Sequence, residues 1–252
     1  MRFLHINDRR YAQLDRLGRE PGLTHAFSTR PANVAPRNGQ NGELYAAQRH
    51  TMASDLGLTP QQLRFCVQVH ETQLAIVDET SPDGPLPGCD GVITASPGVP
   101  LMTFSADCPL VLVFDPIRRA VGMAHASWRC TVARLPYQLV HLMMQQYGCR
   151  SDDLVAGVGP GAGPCCYEVK EDVYAAAAEL PDRDRFFVPR DGRTYFDLWA
   201  ANQAQLIKAG VQPDHVEIAG TCTLCHNDVF YSYRREGKGC GHFGLMAALT
   251  ES

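Results

Sequence analysis

The chain lacks any apolar run long enough to cross a bilayer, and its first residues, MRFLHINDRR, lack the apolar core of a signal peptide. A spanning protein and a secreted one are both unexpected on these grounds, and the expected location is the cytoplasm. A basic excess is also missing: 23 Lys and Arg stand against 27 Asp and Glu, a net charge of -4, with the signs interspersed. Nucleic acid and anionic membrane surfaces need a concentrated positive stripe, so neither is an expected partner. No fixed-period repeat or low-complexity segment occurs, and no obligate protein partner is evident. The ten cysteines are spread over 252 residues rather than packed into a small secreted scaffold, which favours reduced thiols.

What is present is enough apolar content, 45%, for one large core, and one domain across 1–252 is expected. Residues 24–29 read as a strand that Arg30-Pro31 ends. Residues 32–43 read as a loop and 44–56 as a helix stopped by Gly57. Residues 64–70 alternate, with Phe65, Val67 and Val69 on one face and Cys66, Gln68 and His70 on the other, more polar one. Short strands are expected at 74–77 and 91–94, then a hairpin of 110–114 and 120–124 around Asp115-Pro116. Helices are expected over 132–147, 168–180 and 196–209, with strands at 155–158 and 216–219. Helices and strands interleave, yet a hairpin is present, so the fold class is α+β, a mixed α/β domain rather than an all-parallel one.

The stretch LMTFSADCPLVLVFDPIRRAVGMAHASWRC, residues 101–130, organises the rest. Counting outward from a loop centred on Pro116 and Ile117 pairs Asp115 with Arg118 and brings Cys108 opposite His125, with Cβ atoms about 5 Å apart. Such a thiol and imidazole suit either a shared metal ion or a nucleophile and its base. His70 supplies a third ligand, and an open catalytic zinc site uses three protein ligands and one exchangeable position. Cys222-Thr-Leu-Cys225, with His226, Cys240 and His242 nearby, leaves open a second zinc site, although a second spaced pair is wanting. Cys165 and Cys166 read as packing residues, since neighbours in a strand point to opposite faces. GPGAGP, residues 159–164, offers backbone N–H groups to an anion but does not match the P-loop. Arg234-Arg235 reads as an anion clamp or as a solvated edge pair.

FSTR (Phe27 to Arg30), QVH (Gln68 to His70), ADC (Ala106 to Cys108), HASWR (His125 to Arg129), GPGAGPCCYEV (Gly159 to Val169) and CTLCHNDVFYSYRR (Cys222 to Arg235) occur in that order. Together they closely resemble the laccase-domain, or multicopper polyphenol oxidase, family, whose members are regarded as purine nucleoside phosphorylases. The resemblance implies stacked mixed sheets covered by helices in α/β/β/α layers. It implies zinc on His70, Cys108 and His125, with copper possible at the same donors given its rank in the affinity series. It implies cleavage of adenosine, inosine or methylthioadenosine by phosphate, with an accompanying adenosine deaminase activity.

For that chemistry, Asp107 is the expected proton-handling residue, Arg129 a catalytic and phosphate-binding one, and Arg30, Arg235 and Arg234 further phosphate ligands. The sequence departs from the family pattern in places. Ser127 and Cys130 replace two glycines of HAGWRG, an expected narrowing near the metal, and Cys240-Gly241-His242 stands where Thr-Gly-Arg is usual. Two other functions remain open: a metal-free cysteine hydrolase or deamidase using Cys108 and His125, and a metal-stabilised interaction protein without catalysis. Polyphenol oxidation fits less well, because a multicopper oxidase needs a histidine-rich cluster and none of the nine histidines forms a His-x-His pair.

Overall fold

The computed structural model describes residues 1–35 and 42–250. In chain order its elements are β1 (Arg2–Ile6), β2 (Arg9–Gln13), β3 (Leu23–Ser28), α1 (Gly42–Asp55), β4 (Arg64–Val67), β5 (Leu74–Ile76), β6 (Gly84–Pro87), β7 (Gly91–Thr94), β8 (Leu101–Ser105), β9 (Leu110–Asp115) and β10 (Ala120–His125). They continue with α2 (Trp128–Val132), α3 (Leu135–Tyr147), β11 (Val155–Val158), β12 (Glu168–Val169), α4 (Glu171–Ala176), β13 (Phe187–Arg190), β14 (Arg193–Phe196), α5 (Leu198–Lys208), β15 (Val216–Ile218), α6 (Tyr233–Glu236) and β16 (Phe243–Leu249). The loop expected over 32–43 falls partly outside the described residues.

Two large mixed sheets carry the fold, one in the order β1-β2-β3-β16-β8-β4-β6 and the other β15-β11-β9-β10-β7-β5; a small third sheet runs β12-β14-β13. Alternation along the central strands explains the layers. Leu110, Leu112 and Phe114 of β9 and Val121 and Met123 of β10 pack against Phe27, Leu101 and Leu245 of the other sheet. The intervening Val111, Val113, Ala120 and Ala124 pack outward on Leu139 and Met143 of α3 and Leu206 of α5. Met102, Phe104 and Met246 face the opposite way, onto Met52 and Ala53 of α1. The mixed α/β class and its α/β/β/α layering thus follow from strands buried on both faces.

The hairpin forms, but its register differs from the expected one. Asp115 pairs with Ala120 and Leu110 with His125. The Asp115 carboxylate accepts the N–H groups of Ile117 at 2.8 Å and Arg118 at 2.9 Å, wrapping a longer loop that closes through Arg119 at φ 51°. Pairing therefore shifts by two residues, and because side chains repeat with period two every one keeps its face. Cys108 lies just before β9 instead of opposite His125.

Other local expectations are also corrected. Residues 168–180 are not one helix: β12 precedes α4, and β12 pairs with β14. The helix expected over 132–147 is α3, which begins at Leu135 once Arg134, φ 64°, has separated it from the short α2, and Pro136 lies in its first turn as anticipated. In β4 the face of Arg64 and Cys66 is the buried one, at 2% and 0% exposure, while Val69 is 47% exposed. The Arg64 guanidinium points inward because the carbonyls of Gln62 and Ser81 and the carboxylate of Asp83 receive it.

Candidate metal centre and cleft

The chain crosses between the two large sheets near the end of β10. One crossing, from β4 to β5, carries His70; another, from β8 to β9, carries Asp107 and Cys108. His125 is the last residue of β10, so three separate chain passes bring their side chains together. The candidate ligand atoms of His70, Cys108 and His125 all lie within 4.8 Å of one another. The two imidazole rings sit 4.8 Å apart at 74°. A four-coordinate ion at bond lengths of about 2.0 to 2.3 Å holds its donors roughly 3.3 to 3.8 Å apart, inside that bound.

Asp90, absent from the sequence expectations, holds this group. Its buried carboxylate accepts the backbone N–H groups of Val69 at 3.0 Å, His70 at 3.0 Å and Glu71 at 2.9 Å. These bonds fix the left-handed turn at His70, φ 64°. The same carboxylate meets Nδ1 of His125 at 2.9 Å, which assigns the proton to that nitrogen and leaves Nε2 to act as a lone-pair donor. Burial raises the Asp90 pKa, but hydrogen bonds from His125 and from the Glu71 and Val69 amides outweigh it and hold the group below its ordinary value. Gln68 adds a second brace by bonding both ways to the backbone of Phe104, at 2.9 and 2.8 Å.

Electrostatics at the group favour a neutral imidazole and a protonated thiol when no cation is present. His70 is lowered by burial and then by the neighbouring His125 and Arg129, with Asp90 opposing. The Cys108 thiol is pushed far above its usual value, first by desolvation and then by Asp107, Cys130 and Asp90. A cysteine nucleophile needs a depressed pKa, so this environment suits a ligand that a cation must deprotonate. Ser127 and Cys130 do not line the cleft. Ser127 caps α2 by accepting the Cys130 N–H at 3.2 Å, and the Cys130 thiol lies behind the histidines, 3.1 Å from the Glu71 carbonyl. Burial pushes Cys130 up to about 12, so it stays a thiol.

The three residues form the floor of a cleft of about 410 Å³ whose walls include Phe104, Tyr167, Tyr233, Arg234 and His242. Asp107 also faces it. Its carboxylate accepts the Thr223 hydroxyl at 2.6 Å and the Arg234 N–H at 2.7 Å, and its carbonyl accepts the Ala162 N–H at 2.6 Å. A side chain at Gly161 would meet that carbonyl at 2.8 Å, which requires glycine there. The amides of GPGAGP are used in the same way: Gly159 donates to Leu110, Gly161 to Thr221 and Gly163 to the Cys222 sulfur. That segment is a packed strap rather than an anion nest.

Of the four arginines expected to hold phosphate, only Arg234 lines the cleft. Its guanidinium lies over the Tyr167 ring at 4.7 Å and donates to the Glu168 carbonyl at 2.9 Å. Arg235 donates to the Leu224 carbonyl at 2.8 Å. Arg30 pairs with Glu236 and lies 3.9 Å over the Tyr231 ring, and Arg129 lies over Trp128 at 4.3 Å.

The cysteine expectations are revised as well. Cys165 and Cys166 lie in a turn, not a strand, and both approach Cys225, at 3.7 and 3.5 Å. The CxxC therefore meets those two cysteines and not Cys240 or His242. His242 stands in the cleft wall, and Cys240 is buried with its thiol on the Gly241 carbonyl.

No helix among the described residues is long and apolar enough to cross a membrane. The model of the multi-copper polyphenol oxidoreductase laccase family matches residues 18–250. A purine nucleoside phosphorylase of Deinococcus radiodurans is 36% identical over 242 residues, covering 92% of this chain and 92% of that protein. Adenosine deaminase RL5, from an unknown prokaryotic organism, is 30% identical over 237 residues, covering 86% of this chain and 90% of its own length. The crystal structure of YlmD from Geobacillus stearothermophilus superposes with a TM-score of 0.87 at 26% identity, covering 92% of this chain and 93% of that one.

Proposed function

The chain belongs to the multi-copper polyphenol oxidoreductase laccase family, and on that premise we propose that it is a zinc-dependent purine nucleoside phosphorylase of the cytoplasm. Its substrates in this reading are adenosine, inosine or methylthioadenosine together with phosphate, and adenosine deamination accompanies the cleavage. The observation that carries the reading is the convergence of His70, Cys108 and His125 at the floor of a cleft with aromatic walls and one arginine. The names of the relatives from Deinococcus radiodurans and from an unknown prokaryotic organism support the two activities.

Two imidazoles and a thiol fit zinc, with copper as the second ion that such donors accept. When bound, the ion supplies Lewis acidity, polarising a substrate bond or a water molecule where charge develops. The chain's own residues do the rest. Tyr233, exposed in the cleft wall, offers a flat face for a purine, and Tyr167 lines the cleft beside it. A phosphate oxygen attacks the anomeric carbon as the bond to the purine nitrogen breaks; the purine leaves with the electron pair and takes a proton, and the sugar 1-phosphate is formed, ribose 1-phosphate from adenosine or inosine and its 5-methylthio analogue from methylthioadenosine.

Arg234 is the leading phosphate ligand in this reading, since one of its five N–H donors is used by Glu168 and the planar fork suits an anion held at two points. Arg30 and Arg235 brace the segment that presents it, and Arg129 contributes charge near His70. Asp107, with both carboxylate oxygens accepting, holds the Arg234 backbone and is the proposed proton-handling group. An Asp107→Asn variant that deaminates adenosine at the parent rate would remove it from the proton path.

The metal-free hydrolase reading is opposed by the raised Cys108 thiol. Polyphenol oxidation is opposed by the donor set: among the described residues no metal-competent cluster contains more than two histidines. The deciding experiment is turnover of inosine and adenosine with and without phosphate, measuring ribose 1-phosphate and free ribose separately, with the 5-methylthio sugars measured in their place for methylthioadenosine. Phosphate-dependent ribose 1-phosphate is expected. Free ribose released at a phosphate-independent rate would mean a hydrolase.

A further inference from the structure

Behind the Tyr167 wall of the cleft, two distant stretches bring four thiols together. Cys165 and Cys166 follow the glycine strap, and Cys222 and Cys225 follow β15. All four sulfur atoms lie within 4.8 Å of one another. The separations from Cys225 to Cys165 and to Cys166, 3.7 and 3.5 Å, are far beyond a disulfide bond of about 2.05 Å. They are instead close to the edge, about 3.8 Å, of a tetrahedron built on Zn–S bonds of about 2.3 Å. We propose that Cys165, Cys166, Cys222 and Cys225 form a tetrathiolate site for one zinc-class cation, distinct from the His70, Cys108 and His125 group, that staples the two cleft walls together.

The backbone prepares this geometry without the ion. Gly161 and Cys222 form a parallel bridge, with Gly161 N–H donating to Thr221 at 3.2 Å and Thr223 N–H donating to Gly161 at 3.1 Å. The Gly163 N–H points at the Cys222 sulfur at 3.4 Å, and the amides of Leu224 and Cys225 donate to it as well.

Access and charge are also suitable. Cys165 and Cys225 are exposed, so an ion has a path in. Four thiolates around a divalent ion carry a net charge of about -2. Two guanidinium groups lie next to the loops: Arg190 donates to the Cys165 carbonyl at 2.9 Å and Arg235 to the Leu224 carbonyl at 2.8 Å.

The consequence concerns the cleft. Cys166 is followed by Tyr167 and by Glu168, whose carbonyl receives Arg234; Cys222 is followed by Thr223, whose hydroxyl holds Asp107. An ion on the four sulfurs fixes the spacing of both walls while touching neither substrate nor the floor residues. Neither pair of cysteines makes such a site alone, because each offers two ligands and a structural zinc takes four.

The test uses full-length protein purified under reducing conditions from zinc-supplemented culture. Metal content is measured for the parent, for C165S/C166S, for C225S and for H70A. The two cysteine variants are expected to lose one zinc equivalent that H70A keeps. X-ray absorption on H70A should show the remaining zinc surrounded by sulfur alone at about 2.3 Å. Cobalt added to metal-free H70A should give the visible bands of a tetrahedral thiolate complex, and C225S in the same background should lack them. Zinc content unchanged by both cysteine substitutions, or nitrogen and oxygen around the zinc of H70A, would overturn the proposal. If the double variant does not fold, the single C225S change at an exposed position and the absorption measurement on H70A still decide it.

Discussion

Nδ1 of His125 lies 2.9 Å from Oδ1 of Asp90, and the same oxygen accepts the backbone N–H of His70 at 3.0 Å. One carboxylate thus sets the tautomer of one candidate ligand and the backbone turn of another. Its cost of burial is met by four N–H groups, so it stays ionised at neutral pH.

Asp90→Asn is expected to lower zinc affinity at the cleft by about 10 to 100-fold, because the amide turns an N–H toward donors that need an acceptor. Competition with a chromophoric chelator measures this. An affinity equal to the parent's would show that Asp90 does not orient the ligands.

Cys108→Ala is expected to lose cleft metal and turnover together. Metal analysis is paired with the nucleoside assay on one preparation. Full metal with abolished turnover would instead favour the nucleophile role for Cys108.

Arg234→Lys is expected to raise the apparent KM for phosphate about tenfold, or about 1.4 kcal/mol, more than it changes nucleoside binding. Arg235→Lys, at a residue outside the cleft, should have a smaller effect. Steady-state inosine turnover against phosphate concentration checks both, and the reverse ranking would return the phosphate role to Arg235.

Acid stability should depend on His25, which is fully buried with Nε2 accepting the Leu14 N–H at 3.2 Å. Burial, and next the charge of Arg2, lower its pKa to about 3. Unfolded chains bind a proton there below about pH 6.5, and the native state does not until about pH 3, so stability falls as pH falls through that window. Between pH 7 and 5 this single group accounts for about 2 kcal/mol. Urea midpoints at both pH values should show the loss in the parent and not in His25→Gln, which retains an acceptor. Equal losses in the two proteins would reject the assignment.

Of the floor, His125 is legible because it ends a short apolar hairpin strand, while His70 and Cys108 sit in crossings just outside strand ends. The two-residue shift in the hairpin register keeps His125 on its face, whereas Cys108 meets it from the crossing before β9 and not from a paired strand position. Asp90 was not legible: it sits in SPDGPLPGCD, where an aspartate reads as a turn former, and its four partners lie outside that stretch. The order of the arginines was hidden for a different reason. Arg234 and Arg235 occupy α6, four residues long, whose rotation about its axis is set by Asp107 and Ser232 and not by any periodic pattern. The four-cysteine group is hidden in the sequence because adjacent residues 165 and 166 read as strand neighbours on opposite faces, whereas Gly163 and Pro164 lead them into a turn.

Strand β16 lies between β3 and β8, pairing antiparallel with both. During synthesis, β3 and β8 are made long before their shared neighbour. Until the residues from 243 onward are made, each presents an unpaired inner edge to solvent and to other nascent chains. Premature termination a few codons short of β16 would therefore yield a chain that can assemble neither the sheet nor the cleft above it, so incomplete products should be cleared or aggregate rather than persist as partly active protein.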